Sequence, residues 1–242
     1  MGTQTSPIID RTITSGISVG YVTTSTTSQV VIRATTYTRQ SSNAQRSLKS
    51  SSANDTAAGT GARTISLIYF DVNGNGPFFE TVTLNGTTAV NTVNTNICFI
   101  EDILVLTVGS GGVNAGTISL YSTTAGGGTV IGSIAAGDNG TFWAHHYVPL
   151  GKIHNLSGMF ASHNGTTAAS GGVFVIRSLP LNITNAVESF TGDYLRLYGQ
   201  SGSISRTFNI PFRITGPAQV TMYVVPESSS SVTYRGSFEY YE

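Results

Sequence analysis

From residue 63 onward the sequence repeats one local pattern. Short runs rich in Val, Ile, Thr and aromatic residues are each closed by a cluster of Gly, Asn, Asp or Ser. The run at 63–70 ends in Asp71-Val72-Asn73-Gly74-Asn75-Gly76, and the run at 78–84 ends in Asn85-Gly86. Asn-Gly supplies the positive φ values that tight hairpin turns need. The run at 97–108 stops at Gly109-Ser110-Gly111-Gly112, and those at 117–122 and 129–134 flank Gly126-Gly127-Gly128. Further runs lie at 141–148, 152–161, 172–179, 194–198, 204–214, 219–225 and 232–241. No long window places apolar residues at i, i+3, i+4 and i+7, so helices are not expected. Roughly ten strands at about 8–12-residue spacing predict an all-β, antiparallel β-sandwich or jelly-roll-like domain. Pro149, Pro180, Pro211, Pro217 and Pro226 fall at or near run ends, where a missing N–H is tolerated. No solenoid-type internal repeat is present.

The first 50 residues differ. Runs at 12–22 and 29–37 have strand character, but 23–28 and 40–53 are low-complexity Ser/Thr/Asn/Gln stretches. The expected organisation is an extended N-terminal arm over 1–51 that buries no core of its own, followed by a sandwich over 52–242. Charge divides the same way. Residues 1–50 carry Arg11, Arg33, Arg39, Arg46 and Lys49 against Asp10 alone, a net of +4, while the remainder carries seven basic and eleven acidic residues, a net of −4. Such an arm suits an acidic partner. Exposed ion pairs are worth only about 0–1 kcal/mol each, so the hold is expected from strand addition by Ile13, Ile17, Val19, Val22, Val30, Val31 and Ile32. Arg11, Ile13, Val31, Arg33, Arg39 and Arg46 are the expected partner-binding residues. A chain lacking 1–50 is expected to fold.

Only 10% of the residues are charged, against about 25% in an ordinary globular domain. Eleven Tyr, eleven Phe and many β-branched residues argue against disorder. The polar surface is therefore built from Ser, Thr, Asn and Gly, which suits a permanent assembly. Net charge is zero, so no whole-chain nucleic-acid signal exists. Cys98, the single cysteine, sits in Ile97-Cys98-Phe99-Ile100 and is expected to be a buried, inert thiol. The N-terminus shows no apolar signal core, and no run approaches about 20 apolar residues. Assembly in a cytoplasm and no membrane association are expected.

Chemistry-bearing groupings are sparse. His145 and His146 are adjacent, so on a strand they face opposite ways. Bringing His154 or His163 to one of them would need a sheet, and no metal is expected. The Asp71–Gly76 stretch echoes half a calcium loop, but Val82 stands where the loop's terminal Glu belongs. A hairpin turn accounts for it. Glu101 and Asp102 are neighbours and are expected on opposite strand faces, which denies them an acid–base partnership. Nucleophile-elbow, phosphate-loop, dinucleotide and zincin motifs are absent. Asn-x-Ser/Thr triplets at Asn85, Asn139, Asn155, Asn164 and Asn182 read as turn chemistry. Trp143, within Phe142-Trp143-Ala144-His145-His146-Tyr147, is expected in a core or subunit interface. No enzyme activity and no cofactor are expected.

A succession of segments carries a family resemblance. It opens with Ser52-Ala53-Asn54-Asp55-Thr56-Ala57-Ala58-Gly59-Thr60-Gly61-Ala62-Arg63-Thr64. Glu80-Thr81-Val82-Thr83-Leu84-Asn85-Gly86-Thr87-Thr88-Ala89-Val90 follows, then Thr107-Val108-Gly109-Ser110-Gly111-Gly112-Val113-Asn114-Ala115-Gly116-Thr117-Ile118. Together with the closing stretch from Ile210-Pro211-Phe212-Arg213 to Phe238-Glu239-Tyr240, this resembles a family of tailed-bacteriophage virion proteins over residues 52–242. The resemblance implies a virion β-sandwich, expected as a homotrimer, with the major capsid protein or other virion proteins as partners. Its implied role is a capsid decoration or cement protein. The alternative is a tail, neck or head-fibre protein with a host-facing sandwich that takes a surface glycan. In physical terms, Asp55 and the following Gly-Thr-Gly are turn formers expected to clasp the start of the sheet, with Arg63 paired to Asp55.

Overall fold

A computed structural model describes residues 15–26, 28–166, 170–181, 189–198, 201–227 and 231–242. The strands are β1 (Ser15–Thr24), β2 (Val30–Val31), β3 (Ser47–Ser50), β4 (Ala62–Phe70), β5 (Phe78–Thr83), β6 (Val90–Asn91), β7 (Phe99–Val108) and β8 (Ile118–Tyr121). They continue with β9 (Val130–Ile134), β10 (His145–Val148), β11 (Ile153–His163), β12 (Gly171–Pro180), β13 (Ser189–Tyr198), β14 (Gly202–Thr215), β15 (Ala218–Pro226) and β16 (Val232–Tyr241). One short 3-10 turn lies at Thr124–Gly126. All the strand pairings described are antiparallel.

The last strand shows why these sequences become strands. Along β16, Val232, Tyr234, Gly236, Phe238 and Tyr240 are buried, and polar residues intervene. That is the period-2 signature of a sheet with one covered face. β16 belongs to a sheet of order β1-β16-β11-β14, and a second sheet runs β10-β15-β12-β13, with β2 added to β15. Taken in chain order as β1 and then β10 to β16, these eight strands change sheet at every step except β12 to β13, which pair as a hairpin within one sheet, the order of an eight-stranded jelly roll. Their shared interior holds Ile32, Phe174, Met222, Tyr234 and Phe238.

A second sandwich is inserted between β2 and β10. Its sheets run β6-β3-β8-β9 and β5-β4-β7, around a separate core that includes Leu48, Ile65, Leu67, Ile103, Ile118 and Leu120. The all-β sandwich expectation holds, with two cores in place of one.

The extended arm does not survive over its described part. β1 pairs with β16 along its whole length, from Ser15 against Tyr241 to Thr24 against Val232. Ile32 is fully buried in the jelly-roll core. β3 pairs with β6 and β8 inside the second sandwich, so residues 51 and 52 do not mark a boundary. The physical reason lies on the inward face of β1. Ser18 and Gly20 point inward where the sheets nearly touch. A Cβ on Gly20 would lie 2.5 Å from the Ala144 nitrogen and 2.6 Å from the Ile32 carbonyl oxygen. Small and polar residues there meet a close-packing requirement, which a search for apolar content reads as lack of a core.

Asp55 does clasp the second sandwich, by another route than the one expected. Fully buried, it accepts hydrogen bonds from the backbone N–H groups of Ala62 (2.7 Å), Ala115 (2.8 Å) and Gly116 (2.9 Å) and from the Ser50 hydroxyl (2.5 Å). Arg63 donates instead to the Gly59 carbonyl at 3.0 Å. An arginine brought to Asp55 would compete with three backbone donors already in place.

Two outcomes follow from this architecture. Deleting residues 1–50 removes β1 to β3 and is expected to abolish the cooperative thermal unfolding transition, whereas deleting 1–14 is expected to retain it. Asp55→Asn is expected to cost about 2–4 kcal/mol in denaturant unfolding, because an amide NH2 must face a backbone donor and leave it unsatisfied.

Candidate functional site at the sandwich junction

β10 is the wall between the two cores. All four of its residues are buried, and strand alternation sends them to different sides. Tyr147 joins the core of the second sandwich and Val148 that of the jelly roll. His145 packs against Tyr37 and Trp143, with ring centroids 4.7 and 5.3 Å apart. His146 stacks on Tyr240 of the jelly roll at 3.7 Å. The opposite facing of the two histidines agrees with their adjacency in sequence.

His146 is the middle of a chain of polar contacts. Its Nδ1 lies 2.8 Å from Glu101 Oε1, and its Nε2 lies 2.8 Å from His154 Nδ1. Glu101 Oε2 accepts the Tyr147 backbone N–H at 2.7 Å. A carboxylate only accepts, so the hydrogen on His146 sits on Nδ1; in the neutral pair His154 Nδ1–H then donates to His146 Nε2. Burial, with His146 alongside, pushes His154 down to about 4. Burial likewise lowers His145 to about 4. His145 Nε2 lies 3.1 Å from the carbonyl oxygens of both Ile100 and Glu101, so Nε2 carries its hydrogen. Its buried Nδ1 has no hydrogen-bond partner among the described residues. His163 lies at the other end of β11 from His154 and accepts the Gly165 N–H at 3.2 Å. Among the described residues no three His, Cys, Asp or Glu side chains are grouped as a metal would need.

Glu101 and Asp102 correct the sequence expectation. They were expected on opposite faces, yet both line one cleft. In the β4–β7 ladder Ile68 faces Asp102 and Tyr69 faces Ile100, which leaves Glu101 as an extra residue. Such a bulge re-aims side chains and breaks strict alternation. Asp102 accepts the Ile103 N–H at 2.8 Å and the Thr141 hydroxyl. Burial nevertheless raises it to about 6.

The cleft, about 630 Å³, runs between β1 on one side and β4, β5 and β7 on the other. Ile17, Val19, Phe79 and Phe142 supply apolar lining, and Asp102 and Asp138 supply carboxylates. Asp138 also accepts the Tyr21 hydroxyl at 3.1 Å.

The residues expected to bind a partner do not form one surface. Arg11 and Ile13 lie outside the described residues. Val31 is half-buried and paired with Tyr223. Arg33 donates to the Tyr37 carbonyl at 2.7 Å and lies over the Tyr37 ring. Arg39 is exposed. Arg46 is buried and donates to the carbonyls of Ile97, Ser42 and Ser122; it serves the fold and is no docking group. Trp143 is buried and donates to Thr35 Oγ1 at 3.1 Å. The Cys98 thiol is buried and pushed up to about 11 by that burial. Asp71 accepts the backbone N–H groups of Asn73 (2.9 Å) and Asn75 (2.8 Å) within its hairpin turn.

No family model and no curated protein matches the chain. Among solved structures, that of the infectious bursal disease virus Gx strain is similar over 93% of this chain and 71% of that chain, at 14% identity and a TM-score of 0.26. The VP2 subviral particle of infectious bursal disease virus is similar over 94% and 71%, at 12% identity and a TM-score of 0.26. The Gt strain of that virus gives 93% and 71%, 12% identity and 0.28. Similarity of this size assigns no function. No helix among the described residues is long and apolar enough to cross a membrane.

The buried histidines set the response to acid. Unfolded, His145 and His154 take up protons near 6.5; folded, they stay neutral until about 4. Proton uptake between those values therefore favours the unfolded chain. Asp102 opposes this, since its folded form is protonated below about 6 and its unfolded form only below 3.8. Its contribution is present at low pH and is lost as the pH rises through 6. Two histidines outweigh one carboxylate, so stability is expected to fall by about 1–3 kcal/mol between pH 6.5 and 4. Thermal melts across this range check it, and His154→Gln is expected to flatten the slope.

Proposed function

We propose that the chain is a non-enzymatic structural protein of a virion: a decoration or cement protein on the capsid shell of a tailed bacteriophage. The observation that carries this reading is the use made of four buried or half-buried ionisable groups. Asp55 holds three backbone N–H groups, and Glu80 holds those of Val93 (2.5 Å) and Asn94 (3.1 Å). Glu101 holds His146 and the Tyr147 N–H, and Arg46 caps carbonyls. Each fixes loops or sheets and leaves little freedom for proton transfer to a substrate. The jelly roll serves viral shells, lectins and cupins alike, so the fold alone selects no function. The sequence resemblance over 52–242 favours the virion among these. The work is mechanical: many copies add interface area to a shell under internal pressure. Major capsid protein and further copies of the chain are the partners in this reading.

A tail, neck or head-fibre protein is the second reading. The half-exposed Phe79 and Phe142 beside carboxylates and hydroxyls in the cleft favour it, because such a composition suits a host-surface glycan. Quantitative mass spectrometry of purified virions separates the two. On the order of hundreds of copies per particle are expected for decoration; a dozen or fewer, confined to the tail or neck, would replace it by the second reading. Purified protein is expected to release no oligosaccharide from host envelope material.

A further inference from the structure

We infer that the cleft beside β1 is a receptor for residues 8–13 of a second copy of this chain, engaged through the face formed by Ile9, Arg11 and Ile13. The inference concerns self-association in solution and does not depend on where the protein sits in a particle.

The receptor side is a sheet edge with a polar floor. β1 ends its sheet, with β16 on one side and no further strand among the described residues on the other. An edge strand presents unpaired backbone groups, and natural edges are blunted by charges, prolines or bulges. β1, Ser-Gly-Ile-Ser-Val-Gly-Tyr-Val-Thr-Thr, contains no charge and no proline, and its register with β16 is unbroken. Its outward side chains in the cleft, Ile17 and Val19, are 64% and 51% exposed, and Phe79 across the cleft is 48% exposed. The rest of the lining has an excess of acceptors. Asp102 and Asp138 contribute carboxylates, and Asp138 takes only the Tyr21 hydroxyl as a side-chain donor among the described residues. A ligand that satisfies this lining is apolar at its flanks and carries a cation with several N–H donors at its centre. Guanidinium, with five N–H groups, has that chemistry.

The occupant is written in the chain. Residues 8–13 read Ile-Ile-Asp-Arg-Thr-Ile. Added as a strand, where alternate residues share a face, the segment would present Ile9, Arg11 and Ile13 as an apolar–cation–apolar row. Asp10 would then fall on the opposite face, away from the carboxylates. Arg11 is the only basic residue of the first 14. Six residues span roughly 20 Å as a strand.

Exchange between copies follows from the link to β1. Ser15 is both the first residue of β1 and part of the cleft lining. To lie along its own β1, the segment would have to reverse at Thr14, the single residue between it and Ser15. One β-branched residue, with no Gly, Asn, Asp or Pro beside it at 12–15, is too short and too disposed to extended backbone for such a reversal. A chain that continues straight reaches a neighbour's cleft, and reciprocal exchange closes a symmetric oligomer.

Sedimentation velocity on the full chain at micromolar concentration tests this. Wild-type protein is expected to be oligomeric. Arg11→Glu, which spoils the segment, and Val19→Lys, which blocks the cleft, are each expected to sediment as monomers with unchanged circular dichroism. The Arg11→Glu copy keeps a working cleft and the Val19→Lys copy keeps a working segment, so their equimolar mixture is expected to form a heterodimer. A monomeric wild type, or variants that stay oligomeric, would overturn the inference. A mixture that stays monomeric would place the segment in its own cleft and overturn the exchange.

Discussion

The jelly roll depends on one close approach. Where β1 passes the Phe142–Ala144 backbone, the sheets are too near for any side chain at position 20, and Ser18, two residues before it on the same face, is buried. Ser18 turns the contact into attachment, with its hydroxyl 2.6 Å from the His145 carbonyl oxygen and 3.2 Å from that of Trp143. Gly236, opposite Gly20 on β16, leaves the matching space for Ile32 and Met222. This flat patch lets the chain leave the jelly roll through Ile32, build a whole second sandwich, and return at Ala144 beside its point of departure. Backbone hydrogen bonds seal the crossing: Ala144 N–H donates to the Ile32 carbonyl at 2.9 Å, and Ile32 N–H to that of Met222 at 3.0 Å.

The same crossing makes the cleft. Because β1 is pinned from its inner side, Ile17 and Val19 are left facing outward toward the second sandwich. The β7 bulge then turns Glu101 and Asp102 into the gap. Glu101 is drawn to His146 and ties the two cores, while Asp102 stays at the cleft. One extra residue in a ladder thus separates two adjacent carboxylates into a structural tie and a lining group. Burying charge is costly unless it is hydrogen-bonded, and this chain, with only 10% charged residues, places several of its few charges where backbone groups satisfy them. Asp55 and Arg46 act alike, one on N–H groups and the other on carbonyls.

Much of the strand pattern was legible in the sequence. Turns at Asp71–Gly76 and Asn85-Gly86, the alternation in β16, the burial of Cys98 and the opposed faces of His145 and His146 all follow from local rules: turn residues need special φ values, and strands alternate with period 2. The inclusion of residues 15–50 in both cores was not legible, because a buried face made of Ser and Gly has the composition of a linker. The shared cleft of Glu101 and Asp102 was not legible either, because a bulge is set by the partner strand's register. Arg46 looked like a docking charge, since nothing local announces three carbonyls brought from residues 42, 97 and 122.

By itself the sequence determined the all-β class and the positions of most turns, because these rest on residue type and short-range geometry. The tertiary structure alone decided that there are two cores, that the N-terminal strand closes the first beside the last strand, and that a cleft opens between them. Those features depend on which strands meet across the chain. Close packing between distant backbones enforces that choice, and no local pattern records it.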